Sequence, residues 1–131
     1  MTPPRLNRQA TIWRIAVSSD PEYLTPDPDS GAARVAWVPV GGYQPGSPQI
    51  PVRFWGERQD VLPSRSESVQ QGLVVGRRQT RWRQRWRADI DSSMRVTIYG
   101  DADEDFNIIG GPADYGPRKS YIELLLERVS S

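Results

Sequence analysis

The sequence predicts an all-β fold, a small β-barrel or sandwich of about seven strands with one short helix and long irregular loops. Short runs rich in β-branched and aromatic residues recur along the chain, and segments rich in Gly and Pro separate them. One stretch combines a helix-start pattern with a glycine that can end a short helix. The length of 131 residues suits one hydrophobic core, so we expect a single domain over residues 1–131.

The N-terminal part contains three predicted strands and two long loops. Strands are predicted at residues 10–17, 34–40 and 52–61, where β-branched and aromatic residues are frequent. The segments between them, residues 18–33 and 41–51, are dense in Pro, Gly, Asp and Ser. Because these residue types favour turns over regular elements, we predict that both segments are loops.

The middle of the chain contains the predicted helix. Ser64 and Glu67 fit a capping box, and Gly72 can end a helix of about two turns that begins there.

Further strands are predicted after this helix. The segment at residues 120–129 also contains helix-favouring Leu and Glu, but the Gly/Pro-rich stretch before it suits a hairpin connection, so we predict a strand. The remaining predicted strands are residues 73–87, 94–100 and 106–111.

The stretch "RRQTRWRQRWR" packs six arginines and two tryptophans into residues 77–87. In a strand, successive side chains point to opposite faces. Arg81, Arg83, Arg85 and Arg87 then form one face, which we call the arginine face. Trp82 and Trp86 share the other face with Thr80 and Gln84. We therefore expect Trp82 and Trp86 in the core, together with Trp55 of the preceding strand.

The pattern leaves three partners open for the arginine face. The first is solvent together with the nearby acids Asp101, Asp103, Glu104 and Asp105, which form a predicted turn and would approach if strand 94–100 lay beside strand 79–87. The second is another protein, because arginine is enriched at interfaces. The third is nucleic acid, held through its phosphates because buried tryptophans could not stack on bases. The net charge of +1 shows that the chain as a whole is no polycation.

Composition argues against an enzyme. The chain has no cysteine and no histidine, which excludes Ser-His-Asp and Cys-His sites and thiolate metal sites. The acidic turn at 101–105 lacks the glycine and glutamate positions of a calcium-binding loop. We expect no catalytic residue, no cofactor and no metal. No apolar run approaches the roughly 18 residues of a membrane span, and the first residues show no signal peptide, so we expect a protein kept in the cytoplasm.

The C-terminal part carries a series of features whose order and spacing, more than any single motif, resemble those of the phage head–tail joining proteins, also called head-closure or stopper proteins. The matching features are Trp55 in a strand, Glu67 in the capping box, the arginines of "RQRWR" at 83–87, "IDSSMRV" at 90–96, "FNI" at 106–108 with a Gly-Gly-Pro turn, and Arg118 before the hydrophobic strand 121–126. The two long N-terminal loops depart from the family pattern by their length.

This resemblance implies a structural protein of the virion neck, made in the cytoplasm of a host bacterium. It implies a ring, dodecameric in the particle, between the portal or its adaptor and the tail terminator or tail tube protein. Genomic DNA would pass through the ring, and a loop could close the channel. Subunits of a ring meet head to tail through two different patches, and segregated charges such as the arginine face and residues 101–105 suit such a contact.

Two other classes of function stay open. A stand-alone nucleic-acid-binding barrel, similar to an OB-fold, would need exposed aromatic side chains beside the arginine face. An enzyme that uses carboxylates would need two acids converging in a pocket. No spacing in the sequence singles out such a pair.

Overall fold

The computed structural model describes residues 3–61 and 79–129. Within these residues the chain forms nine strands and a single 3-10 turn at Pro117–Lys119. The strands are β1 (Arg8–Ile15), β2 (Trp37–Pro39), β3 (Tyr43–Gln44), β4 (Ser47–Pro51), β5 (Phe54–Val61), β6 (Gln79–Arg85), β7 (Arg95–Tyr99), β8 (Glu104–Tyr115) and β9 (Tyr121–Arg128).

Six of the strands close into a barrel in the order β1-β5-β6-β9-β8-β7, with β7 pairing back onto β1. Every pairing is antiparallel. Strand β2 adds to the far end of β1, and β3 and β4 form a separate hairpin. Closure removes the free edges that an open sheet would expose. The all-β prediction is therefore confirmed, as a barrel.

The barrel interior is filled by alternate residues of its strands, as the period of two requires. Its largest member is Trp82 of β6, which is fully buried. Trp82 donates a hydrogen bond from Nε1 to Oε1 of Gln84 at 2.8 Å, so its one polar atom is satisfied inside the core. The other fully buried apolar side chains include Ile12, Val96, Ile98, Phe106, Ile122, Leu124 and Leu126.

Several predicted elements differ from the observed ones. The segment 41–51, predicted as a loop, contains the β3–β4 hairpin, because Gly41 and Gly42 adopt positive φ and let the chain turn sharply into it. The strand predicted to reach residue 87 ends at Arg85. Strand β8 continues to Tyr115, past its predicted end. The ambiguous segment 120–129 is a strand, as predicted, and the predicted helix after Ser64 lies outside the described residues.

Candidate assembly surface

The arginine face lies on the outer wall of the barrel, as predicted. Strand β6 sits between β5 and β9, and its inward positions Thr80, Trp82 and Gln84 are buried. The intervening arginines must then point outward, since neighbouring side chains alternate. The strand ends before Arg87, which therefore lies beyond the regular face.

Arg83 at the centre of this wall is held by its neighbours. Its cross-strand partners are Glu57 of β5 and Glu123 of β9. The guanidinium lies 3.6 Å from a Glu57 carboxylate oxygen and 3.2 Å from one of Glu123, and 4.2 Å from the centre of the Tyr115 ring. Arg83 is thus a structural residue that ties three strands together, and it is not free to bind a partner.

The flanking arginines are more available. Arg81 is exposed, and its Nε lies 3.7 Å from Glu123, which already binds Arg83. Arg85 is exposed and forms no ion pair with any residue of the described ranges. Arg87 instead makes two hydrogen bonds to Asp89, at 2.8 and 2.9 Å, which lower the pKa of the Asp89 carboxyl. The accessible positive charge of the wall therefore belongs to Arg81 and Arg85.

The acidic residues do not lie beside the arginine face, which corrects one expectation. Strand β7, which leads into them, pairs with β1 and β8 and not with β6. The reason is the strand order of the barrel, in which β6 takes β5 and β9 as neighbours while β7 closes onto β1. Asp101 and Asp103 lie exposed in the turn between β7 and β8.

Glu104 and Asp105 belong to β8 and point in opposite directions. Glu104 faces Arg58 at the end of the barrel, with both carboxylate oxygens 3.2 Å from the guanidinium. That contact lowers the pKa of Glu104, and both of its carboxylate oxygens are already bound within the subunit. Asp105 is exposed on the outer wall, where it accepts a hydrogen bond of 2.6 Å from Thr97.

Of the three tryptophans expected in the core, only Trp82 is there. Trp55 is 53% exposed and Trp86 is 39% exposed. Trp55 occupies an outward position of β5 because the inward position beside it must be Gly56: a Cβ there would lie 2.2 Å from the Trp82 ring. Trp86 follows the end of β6, so the alternation no longer applies to it, and its ring lies 5.7 Å from Nζ of Lys119.

A second surface, which the sequence analysis missed, is a cleft on the wall formed by β1, β7 and β8. This open cleft has a volume of about 290 Å³ and is lined by Trp13, Trp37, Arg95, Thr97, Asp105 and Val129. Trp13 donates a hydrogen bond to Thr97 at 3.0 Å, and the Arg95 guanidinium lies 4.5 Å from the centre of a Trp37 ring. A Trp within a strand reads equally well as a core residue, so only the placement of β2 beside β1 reveals this cleft.

Within residues 3–61 and 79–129, no three acidic side chains converge as ligands for a metal ion. The same residues contain no helix of the length and apolar character needed to cross a membrane. What the outer walls do offer is charged and aromatic contact area, which suits binding to another macromolecule.

Comparison with known proteins gives a family and a related fold. A family model described as phage head completion protein matches residues 1–129. The chain is similar to the solution structure of protein SF1141 from Shigella flexneri 2a, with 21% identity and a TM-score of 0.55, over 98% of this chain and 96% of that one. At this identity the likeness shows the fold alone. No curated protein sequence matches. Because the family model spans residues 1–129, this chain is a member of the phage head completion protein family, in agreement with its resemblance to head-closure proteins.

Proposed function

We propose that this phage head protein joins the filled capsid to the tail and acts by assembly, without catalysis. In this proposal, copies of the chain form a ring, a dodecamer in the particle, in the virion neck. One side of the ring binds the portal or its adaptor, and the other binds the tail terminator or tail tube protein. Genomic DNA passes through the central channel. The observation that carries the proposal is the family match over residues 1–129.

The distribution of side chains supports an assembly role. The core is a closed barrel of modest size. The exposed surface carries large side chains of the types that are enriched in protein interfaces, among them Trp55 and the available arginines Arg81 and Arg85. The sequence also lacks histidine and cysteine, the commonest general base and the strongest protein nucleophile.

The test is removal of the gene from a phage or prophage that encodes the chain. We expect DNA-filled or leaking heads and separate tails, counted by electron microscopy, and tailed particles restored by the wild-type gene on a plasmid. Tailed, infectious particles formed without the protein would contradict the joining role.

One observation favours a second candidate, a barrel that binds nucleic acid. Trp55 and Trp86 are exposed, and Trp86 lies near Arg85 in sequence and near Lys119 in space. Exposed aromatic rings beside cations are what single-stranded nucleic acid requires, since bases stack on rings and cations contact phosphates. Arg118 and Lys119 both have positive φ, 57° and 54°, an unusual backbone for side chains of this kind that presents two cations in one tight turn.

A titration of the purified protein with single-stranded and duplex DNA tests this candidate, with tryptophan fluorescence as the signal. Binding through phosphates should weaken steeply as salt rises. Replacement of Trp86 by Ala should remove the fluorescence change if bases stack there. Absence of binding at low salt would eliminate this candidate and leave the joining role untouched.

A further inference from the structure

We propose that the arginine face on β6 of one copy binds the cleft lined by Trp13 and Asp105 on the β7 wall of the next copy. The proposal rests on the proposed ring, and it names the two surfaces through which that ring closes. It makes the contact heterologous, with two different patches on every subunit.

The first support is the position of the two walls. In the closed order β1-β5-β6-β9-β8-β7, strand β6 is three strands from β7 in either direction. The two walls therefore face opposite sides of the barrel. A subunit in a closed ring needs two contact faces on nearly opposite sides, one for each neighbour.

The second support is the height of the two walls along the barrel. Through β9 and β8, Gln79 is level with Arg95. Through β5 and β1, Gln84 is level with Arg8. Because Gln9 pairs with Tyr99, Arg8 and therefore Gln84 are level with the residue after Tyr99, at the end of β7. The two routes differ because barrel strands are tilted and staggered. Midway between them, the centre of β6 lies at the height of the centre of β7. Patches at equal height join copies into a flat ring and not into a rising helix.

The third support is charge. Asp105 is exposed and forms no ion pair with any cation of the described residues. On the other wall, Arg81 and Arg85 are exposed, and the long contact of Arg81 with Glu123 is their single ion pair among the described residues. Midway between the two routes, Arg81 lies within one residue of the row that contains Thr97 and Asp105, and Arg85 lies within one residue of the row of Trp13 and Arg95. Each copy thus carries available guanidinium groups on the β6 wall and a carboxylate without an ion pair, among the described residues, on the β7 wall.

The chemistry of the contact follows from these residues. The Arg81 guanidinium binds the Asp105 carboxylate, which has an oxygen left beyond the one that accepts from Thr97. The Arg85 guanidinium stacks on the half-exposed ring of Trp13, as planar guanidinium groups do on indoles. The same register brings Arg95 of the cleft within one residue of the row of Glu57, Arg83 and Glu123, where two carboxylates offset its charge beside that of Arg83.

Cysteine crosslinking tests the contact, and the natural chain has no cysteine to interfere. The variant carries Arg81→Cys and Asp105→Cys, and it is incorporated into particles by complementation of the deleted gene. A short bis-maleimide should link copies of the double variant into a ladder that extends beyond dimers. Each single-cysteine variant should stay monomeric, because a heterologous contact never sets residue 81 against residue 81.

Tailed particles that contain the double variant but yield only monomers would overturn the proposal, as would dimers from either single variant. In both cases the joining role would stand. If the double variant is not incorporated, exchange of charge decides: Arg81→Glu and Asp105→Arg should each reduce tailed particles at least tenfold, and their combination should restore them. A combination no better than the single variants overturns the contact. Tailed particles without any copy of the protein would instead refute the joining role itself.

Discussion

At the residue scale, the best-defined polar contact is the pair formed by Arg14 and Asp20. Two guanidinium nitrogens of Arg14 donate to the two carboxylate oxygens of Asp20 at 2.7 and 2.8 Å, and the Val17 backbone N–H donates to the same carboxylate at 2.8 Å. These donors lower the pKa of Asp20 from 3.8 to about 2. The contact fixes the start of the long N-terminal loop to the end of β1.

This pair predicts a pH dependence of the loop. The pKa of Asp20 is lower in the folded protein than in the unfolded chain, so its stabilising effect is complete above the ordinary pKa of 3.8 and is lost as pH falls toward 2. We expect Asp20→Asn to remove this part of the acid sensitivity. Melting temperatures between pH 5 and about pH 2 check it. Identical acid profiles for the variant and the wild type would contradict the prediction.

Residue identity alone could not place the tryptophans. The alternation in β6 correctly assigns Trp82 to the core, because the strand continues on both sides of it. It fails at Trp86 because nothing in the local sequence shows that the strand ends at Arg85. It fails at Trp55 because the inward position is reserved for Gly56 by the ring of a tryptophan from another strand. That constraint comes from tertiary packing and is absent from the local pattern.

At the element scale, the pairing of β5 with β6 depends on the fit of Gly56 against Trp82. The ring lies directly over the glycine, at a distance that admits no side chain. Since the interior is densely packed, a methyl group added here must displace the ring that fills the middle of the barrel.

We therefore predict that Gly56→Ala lowers the free energy of unfolding by about 1–3 kcal/mol. Trp82→Ala, which removes the ring itself, should cost about 3–5 kcal/mol. Gly100→Ala is the matched control, since its Cβ would meet nothing closer than 3.5 Å, and it should be close to neutral. Urea unfolding of the three variants measures these changes. Equal effects at Gly56 and Gly100 would show that Trp82 does not fill the space above Gly56.

The long loop is a second element whose behaviour can be tested. Hydrogen bonds hold its ends, from Asp20 to Val17 and from Gly31 to Asp27, but Tyr23 and Leu24 between them are 38% and 45% exposed. So little apolar burial provides little to offset the entropy of ordering. We predict fast amide exchange at Leu24 and Thr25 in the free subunit and protection in assembled particles. Strong protection in the free subunit, measured by exchange with mass spectrometry, would contradict this.

The elements themselves were largely predictable, and their pairing was not. Period-two alternation and Gly/Pro punctuation identify most strands, including the ambiguous one at 120–129. The closure of β7 onto β1 depends on residues far apart in the sequence. As a result the charges of the candidate surface could be predicted, whereas the partners Glu57 and Glu123 of Arg83, and the cleft beside Trp13, could not.

At the scale of the whole molecule, variants of the arginine face separate the proposed assembly contacts from folding contacts. Arg85→Glu changes an exposed residue with no ion pair among the described residues, so the melting temperature should stay within about 2 °C of the wild-type value. Arg83→Glu sets three carboxylates together at Glu57 and Glu123, so it should destabilise the barrel.

The same two variants predict different outcomes in particles. Arg85→Glu should fold and yet reduce the number of tailed particles, because in the proposed ring the charge of Arg85 acts between copies. Complementation counts beside thermal melts of the purified variants separate the two effects. A stable Arg85→Glu protein that supports normal particle numbers would remove this arginine from the assembly surface.

The central claim is that this protein stands between the filled head and the tail. The most direct measurement is a reconstruction of the neck of tailed particles by electron cryo-microscopy, at a resolution that shows β-strands. We predict a ring of copies of this six-stranded barrel around the DNA channel, between the portal and the first ring of the tail. A complete neck whose density contains no such barrel would contradict the claim.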